Sequence, residues 1–243
     1  MEEISYDIEA KVESFHWWFV VRKRLLERLL HSLDIPQESP VLDIGCGTGS
    51  NLGVLGSVGL YKAVGLDHSL HALSLAKKKV NLPFVSGDIN SLPIQSNSIG
   101  LIIAMDIVEH IDNDLNAILE LFQVLRNGGI LILTVPAFKF LWGLQDVVTG
   151  HKRRYSKREI TDKLRKAGFD ILKSSHFNFF LFFPILIARR MVHLLGLKIK
   201  SENEINLPWI NFFLKAIFSL ELYALKYFSF PFGISIFCIA QKK

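Results

Sequence analysis

The chain has 243 residues, 50% hydrophobic and 21% charged, with a mean hydropathy of +0.30, which suits one α/β domain and excludes intrinsic disorder. Its two cysteines, Cys46 and Cys238, are too few for a disulfide framework or a four-cysteine metal site, so a reducing compartment is expected. The net charge of +5 arises wholly in residues 177–243, where eight basic and three acidic residues accompany 12 of the 19 phenylalanines; that pairing reads as lipid-facing, and basic charge so thinly spread is a poor nucleic-acid footprint.

The N-terminal residues are acidic (Glu2, Glu3, Asp7, Glu9) where a secretory signal needs positive charge, so a cytoplasmic protein is expected. Leu25, Leu26, Leu29 and Leu30 recur at helical spacing among charged residues and predict an amphipathic helix over 15–31. Short β-rich runs then alternate with helical patterns. Val41–Ile44 is followed by a glycine-rich turn, Ala63–Leu66 by a helix from about Ser69, then come Phe84–Ser86 and Gly100–Met105, the last leading into another helix. Leu115, Ile118, Leu119, Phe122 and Leu125 mark a helix expected to end at Asn127-Gly128-Gly129, before a buried strand at Ile130–Val135. Ser156 and Glu159 form a capping box opening a helix that stops at Gly168, and Phe169–Ser174 is the next strand. Repeated β-turn-α units predict a doubly wound, mostly parallel sheet that binds ligands at the carboxyl ends of its strands.

Residues 177–232 break this rhythm. The longest uncharged apolar run, Phe177–Ala188, is 12 residues and contains Pro184, and Ile205–Phe232 carries Lys215, Glu221 and Lys226, so neither suits a membrane span, which needs about 18 to 20 residues. Asn211, Lys215, Ser219 and Lys226 fall on one face of the second stretch, a polar stripe on a helix expected to lie in a membrane interface or, alternatively, to pack onto the sheet, form an acceptor pocket or cover a dimer face. Ile234–Ala240 is a terminal strand closing the sheet.

The chemistry sits in Val41-Leu42-Asp43-Ile44-Gly45-Cys46-Gly47-Thr48-Gly49-Ser50, a strand entering alternating glycines and then a helix. Such a turn lets backbone amides and the helix end face an anionic or polar ligand. Ser50 replaces the last glycine of a dinucleotide fingerprint, and no Gly-Lys-Ser/Thr follows as in a P-loop. Nothing adjacent to Cys46 is placed to activate its thiol, so a catalytic cysteine is not expected.

Residues 42–49 resemble the first motif of class I S-adenosylmethionine-dependent methyltransferases, and three later elements agree in order and spacing: Asp67 after Val64-Gly65-Leu66, Gly87-Asp88-Ile89, and Ile99–Met105 followed by Asp106–His110. The likeness covers roughly residues 36–175 and the last strand. It implies a Rossmann-like, seven-stranded sheet with an antiparallel last strand, preceded by a hydrophobic helical insertion. It also implies S-adenosyl-L-methionine as cofactor, held by Asp43, Gly45, Gly47, Gly49, Asp67, His68, Asp88, Ile89 and Met105, with Asp67 on the ribose hydroxyls and Asp88 on the adenine amino group. The expected organisation is one methyltransferase domain over 1–243, with an N-terminal helical lid at 1–35, a cofactor-binding core at 36–176, the hydrophobic insertion at 177–232 and the terminal strand at 233–243.

His16-Trp17-Trp18-Phe19 with Arg22, and Gly150-His151-Lys152-Arg153-Arg154-Tyr155, resemble a bacterial and archaeal subgroup of these enzymes that shares both patterns and a hydrophobic C-terminal hairpin. The second pattern follows Val135-Pro136 and so faces the site, where its basic residues suit an anionic group and the charge implies an exposed loop. His151 and His110 are candidate bases and Arg154 a candidate anion binder. Asp106, Glu109 and His110 have a spacing that a metal could use on one helix, His151 being a conceivable further ligand, but a metal-free site is expected. The acceptor class read from these features is a small molecule or lipid-linked compound, hydrophobic with an anionic group, used at the inner membrane surface as a peripheral membrane enzyme. No nucleic-acid partner is expected, since the Asn/Asp-Pro-Pro-Tyr/Phe motif is absent. The alternative is a non-catalytic cofactor-binding or membrane-docked interaction protein.

Overall fold

The computed structural model describes residues 3–194 and 207–243; residues 195–206, including the start of the apolar stretch Ile205–Phe232, lie outside the described residues. Seven strands form one sheet in the order β3-β2-β1-β4-β5-β7-β6. They are β1 (Val41–Ile44), β2 (Ala63–Asp67), β3 (Phe84–Ser86), β4 (Ile99–Met105), β5 (Leu125–Pro136), β6 (Phe169–Phe177) and β7 (Ser235–Lys242). β1 to β5 pair in parallel, and β7 runs antiparallel between β5 and β6, which makes the Rossmann-like sheet that the sequence predicts.

All seven residues of β4 are buried, as a central parallel strand requires. Its side chains alternate: Ile102 and Ala104 join the core under α5 (Asp114–Val124) and α7 (Lys157–Lys166), while Leu101 and Ile103 join the core under α2 (Trp17–His31), α3 (Ser50–Ser57) and α9 (Pro208–Ala224). The sheet is therefore covered on both faces, and its carboxyl edge is left to the loops.

Several expectations change. The helix after Asp114 ends at Val124, and Asn127-Gly128-Gly129 is not its cap. Ile99 already pairs with Leu125 and Leu101 with Ile130, so residues 126–129 bulge out of β5, with Gly128 at φ +76°. The regular helix that follows β4 is α5, and Asp106, Glu109 and His110 do not share a helix: Asp106 takes φ +54° and leads into a single 3₁₀ turn at Val108–His110. Two helices carry little periodic signal in the sequence. α1 (Glu3–Val12) buries Ser5 and Tyr6 rather than an apolar stripe, and α6 (Leu144–Thr149) is too short to show a period.

Two of the four stripe residues, Asn211 and Ser219, face α2, while Lys215 is half-buried and Lys226 is exposed just beyond α9. Asn211 accepts from the Trp17 backbone at 2.6 Å and donates to the Phe15 carbonyl at 2.9 Å, and Ser219 accepts from Arg24 at 3.0 Å. These bonds fasten α9 to α2, so the surface turned to solvent on α9 and α8 (Phe182–Leu194) carries Phe183, Ile187, Met191, Trp209, Phe212, Phe213, Leu220 and Tyr223. Buried Glu221 accepts the backbone N–H groups of Phe179 at 2.6 Å and Phe180 at 3.2 Å, tying α9 to the entrance of α8. Among the described residues no helix is long and apolar enough to cross a membrane.

Candidate active site

At the end of β1 the chain turns through Gly45 (φ +64°) and Gly47 (φ +51°), conformations that side chains with a Cβ rarely adopt. A Cβ on Gly45 would lie 2.7 Å from Ile107, whereas one on Gly47 would meet nothing closer than Tyr6 at 3.8 Å. Gly45 is thus dictated by packing and Gly47 by the space in front of it. Asp67, at the end of β2 and 4% exposed, accepts the Gly47 N–H through Oδ2 and the Ser69 N–H through Oδ1, both at 2.9 Å. A carboxylate oxygen keeps a further acceptor site after one such bond. The carboxylate can therefore fix the turn and still receive hydroxyl donors.

A cavity of about 630 Å³ opens in front of this turn along the carboxyl edge of the sheet. Gly45, Gly47, Asp67, His68, Asp88, Ile89 and Met105 line one end, and His110, His151 and Arg154 the other. Asp43 and Gly49 do not reach its wall. Asp43 is wholly buried behind the turn, accepts from Asn51 at 3.2 Å, and is pushed up to about 7 by burial. Gly49 caps α3 where a Cβ would come 3.1 Å from Ala76 of α4 (Leu70–Lys77). Both carry the fold of the turn. Lining residues that the sequence reading missed include Tyr6 and Glu9 on α1 and Ile185 on α8. The i, i+3 spacing of Tyr6 and Glu9 was the available signal. Burial raises the Tyr6 hydroxyl and pushes the Glu9 carboxyl up to about 7. His16 is also in the wall, with burial pushing it down to about 4, and Trp18 stacks on Phe177 and Phe218.

The far end is organised by Asp146, a residue that no motif marked. It is fully buried and receives the Gly143 N–H on Oδ2, and His151 Nδ1 and Arg154 Nε on Oδ1, each at 2.8 Å. Burial pushes its carboxyl up, but the His151 bond and the Arg154 charge and bond outweigh it and hold the group at about 2. The bond to Nδ1 leaves the lone pair of His151 on Nε2. Arg154, 3% exposed, also donates to the Ala137 carbonyl at 3.0 Å. Lys152 pairs with Asp112, and Arg153 with Asp114 at 3.3 Å. The loop expected to be exposed and basic is instead tied down cation by cation. His110 packs edge-on to His151 with ring centroids 4.8 Å apart, and burial and then the His151 charge push it down to about 4. Asp106 is drawn away to Arg22 at 2.6 Å and Thr134 at 3.0 Å.

A carboxylate held beside glycine amides fits a ligand with paired hydroxyls, and the enclosed neighbouring space fits an apolar ring. The comparisons agree with that geometry. Residues 42–133 match the family model described as a methyltransferase domain. An uncharacterized protein of Methanocaldococcus jannaschii, MJ1252, is 30% identical over 177 residues, 61% of this chain and 68% of its own. The malonyl-[acyl-carrier protein] O-methyltransferase of Marinomonas sp. strain MWYL1 is 28% identical over 193 residues, 74% of this chain and 71% of its own. Among solved structures, a chain from the complex of the Haloferax volcanii Trm112 methyltransferase activator and its partner superposes with a TM-score of 0.66 at 18% identity, over 97% of this chain and 96% of that one. The chain belongs to the class I S-adenosylmethionine-dependent methyltransferases. It is an enzyme, and its cofactor is S-adenosyl-L-methionine.

Proposed function

We propose that the enzyme methylates a hydrophobic small-molecule or lipid-linked acceptor carrying an anionic group, taken in where the cavity meets α8, with the outer faces of α8 and α9 resting on the inner membrane surface. One observation carries this reading: the cavity that begins at Gly47 and Asp67 is walled at its other end by Ile185 and Arg189 of α8, a helix whose opposite side is apolar and exposed. An acceptor could pass from an apolar surface to the reaction site beneath one helix.

In this reading Gly45, Gly47, Asp67, His68, Asp88, Ile89 and Met105 hold the cofactor, and Asp43 and Gly49 support the turn from behind. The cofactor supplies the methyl group as an electrophilic sulfonium. The protein's main task is to align nucleophile and methyl group, an effect worth up to about 7 to 11 kcal/mol. His151 takes the acceptor's proton on Nε2, and Asp146 and Arg154 position the imidazole that does so. His110 packs edge-on against His151 and helps hold its ring in place. Lys152 and Arg189 both line the wall and would reach the anionic group by giving up contacts they now make, Lys152 with Asp112 and Arg189 with the Leu141 carbonyl among others.

The test is transfer of a tritiated methyl group from cofactor into a cell lysate, followed by organic extraction. Label is expected in the lipid phase. Label confined to nucleic acid or to water-soluble material would overturn the acceptor class.

A further inference from the structure

The reaction scheme uses one lone pair of His151 and leaves a neighbouring carboxylate without a task. Glu109, in the 3₁₀ turn after β4, is 0% exposed, and neither of its carboxylate oxygens has a hydrogen-bond partner. A buried carboxylate without donors is costly, and a specific one calls for a missing partner. Its nearest cationic or imidazole neighbour is His151, whose Nε2 stands 3.8 Å from Oε1. A ligating atom from each of Glu109, His110 and His151 lies within 4.8 Å of the others. His151 also donates through Nδ1 to Asp146, the carboxylate-to-imidazole bond that orients metal-ligating histidines.

We propose that Glu109, His110 and His151 form a site for one divalent transition-metal ion at the acceptor end of the cavity. Two imidazoles and a carboxylate suit zinc, cobalt, manganese or iron, whereas magnesium and calcium prefer oxygen sets. Bonds of about 2.0 to 2.2 Å require the three ligand atoms to draw in by roughly 1 to 2 Å, which side-chain rotation supplies. His110 and His151 line the cavity, so the remaining coordination positions open toward it. The site deepens the acceptor reading at one point only. The Nε2 lone pair that serves as the base is the one the ion takes, so metal-loaded enzyme loses proton removal by His151.

The full chain, stripped with chelator, is titrated with zinc by calorimetry and with cobalt by visible absorption. One ion per chain is expected, with a cobalt band showing imidazole and carboxylate coordination. The isosteric variant Glu109→Gln and the variant His110→Gln should each weaken zinc binding at least a hundredfold. Asp146→Asn, which keeps all three ligands, should weaken it about ten- to a hundredfold. Thermal unfolding of each variant separates loss of the site from loss of the fold. Absence of zinc and cobalt binding by the wild type, or equal affinity in folded Glu109→Gln, overturns the site. Methyl transfer by the stripped enzyme that zinc slows at its binding midpoint supports both site and base. Zinc binding without transfer in any lysate fraction removes the acceptor reading and leaves the site standing, and transfer without zinc binding does the reverse.

Discussion

The two ends of the cavity are built in opposite ways. The end at Gly45, Gly47 and Asp67 is made from the tips of two adjacent strands, and its contacts are largely backbone amides arranged around one carboxylate. The end at His110, His151 and Ile185 is assembled from a 3₁₀ turn, a loop fixed by Asp146 and a helix outside the sheet's repeating units, and its contacts are side chains. A ligand shared across a family can be met by backbone geometry, which tolerates drift in side chains. An acceptor that differs between members must be met by side chains carried on loops and insertions.

If the ends are that separate, substitutions at one should leave the other intact. The largest effect is expected at the cofactor end. Asp67→Ala removes the acceptor for two backbone amides and for the proposed ribose hydroxyls. At about 1.5 to 3 kcal/mol for each charged hydrogen bond, loss of the two cofactor bonds should weaken S-adenosylhomocysteine binding by about 3 to 6 kcal/mol in calorimetry. Gly47→Val should abolish binding, because it forces a branched residue to φ +51° and points its side chain into the cavity. Wild-type affinity in Asp67→Ala would dissolve the division between the ends. At the acceptor end, His151→Ala and Asp146→Asn should lower turnover about a hundredfold to ten-thousandfold, as loss of a positioned base does, without changing cofactor affinity. A parallel loss of cofactor affinity in His151→Ala would show one continuous site.

The same division explains what could be read in the sequence. The strand, glycine turn and Asp67 lie within one β-α-β unit, where short-range spacing translates directly into geometry, and these residues do converge on the cavity. Asp43 and Gly49 belong to the same motif, yet sequence proximity could not reveal that they face the core. Asp146 was illegible for the opposite reason: a six-residue helix has no period, and its bond to His151 depends on the Gly150 turn at φ +74°. The polar stripe left its neighbour open, because periodicity gives the face of a helix and not the element that covers it; Asn211 and Ser219 of that stripe meet α2, nearly 200 residues earlier.

Glu221 lies on the acceptor side and offers a smaller, pH-dependent test of how α9 supports it. Burial pushes its carboxyl up from the usual 4.5 to about 7 against the pull of the Phe180, Phe179 and Asn178 backbone. The folded state thus binds this proton more tightly than the unfolded chain. The stability it contributes is fully present below about pH 4.5 and is lost as pH rises through about 7, on the order of 3 kcal/mol in all. Glu221→Gln keeps an oxygen for the two backbone N–H groups and cannot ionise, so denaturant unfolding should show a flatter fall in stability between pH 5 and 7. Glu9 and Asp43, also raised to about 7, leave a residual slope. An unchanged slope in the variant would mean that Glu221 is not held protonated and that the α8 entrance is fastened otherwise.

The smallest effect per residue concerns the outer face of α8 and α9. With Asn211 and Ser219 spent on α2, the side turned outward carries exposed aromatic and aliphatic residues, among them Trp209, Phe212, Phe213 and Leu220, and clustered exposed apolar residues mark interaction surfaces. Arg190 and Lys226 are exposed at its margin, and Lys215 is partly so. A face of this kind is held at a membrane by its buried apolar groups, with attraction to anionic lipid adding about 1 kcal/mol for each basic residue near the surface. The protein should therefore float with anionic liposomes at low salt, less with neutral ones, and progressively less as salt screens the charges. Trp209→Ser with Phe213→Ser should reduce flotation at every salt concentration, because it removes the apolar part of the attraction. Lys215→Gln with Lys226→Gln should reduce it only at low salt, because screening already silences those charges at high salt. A wild type that stays at the bottom of the gradient at low salt would leave this face to a protein partner or a second copy of the chain instead. The acceptor end would then be completed by another chain, in contrast to a cofactor end that β1 and β2 complete alone.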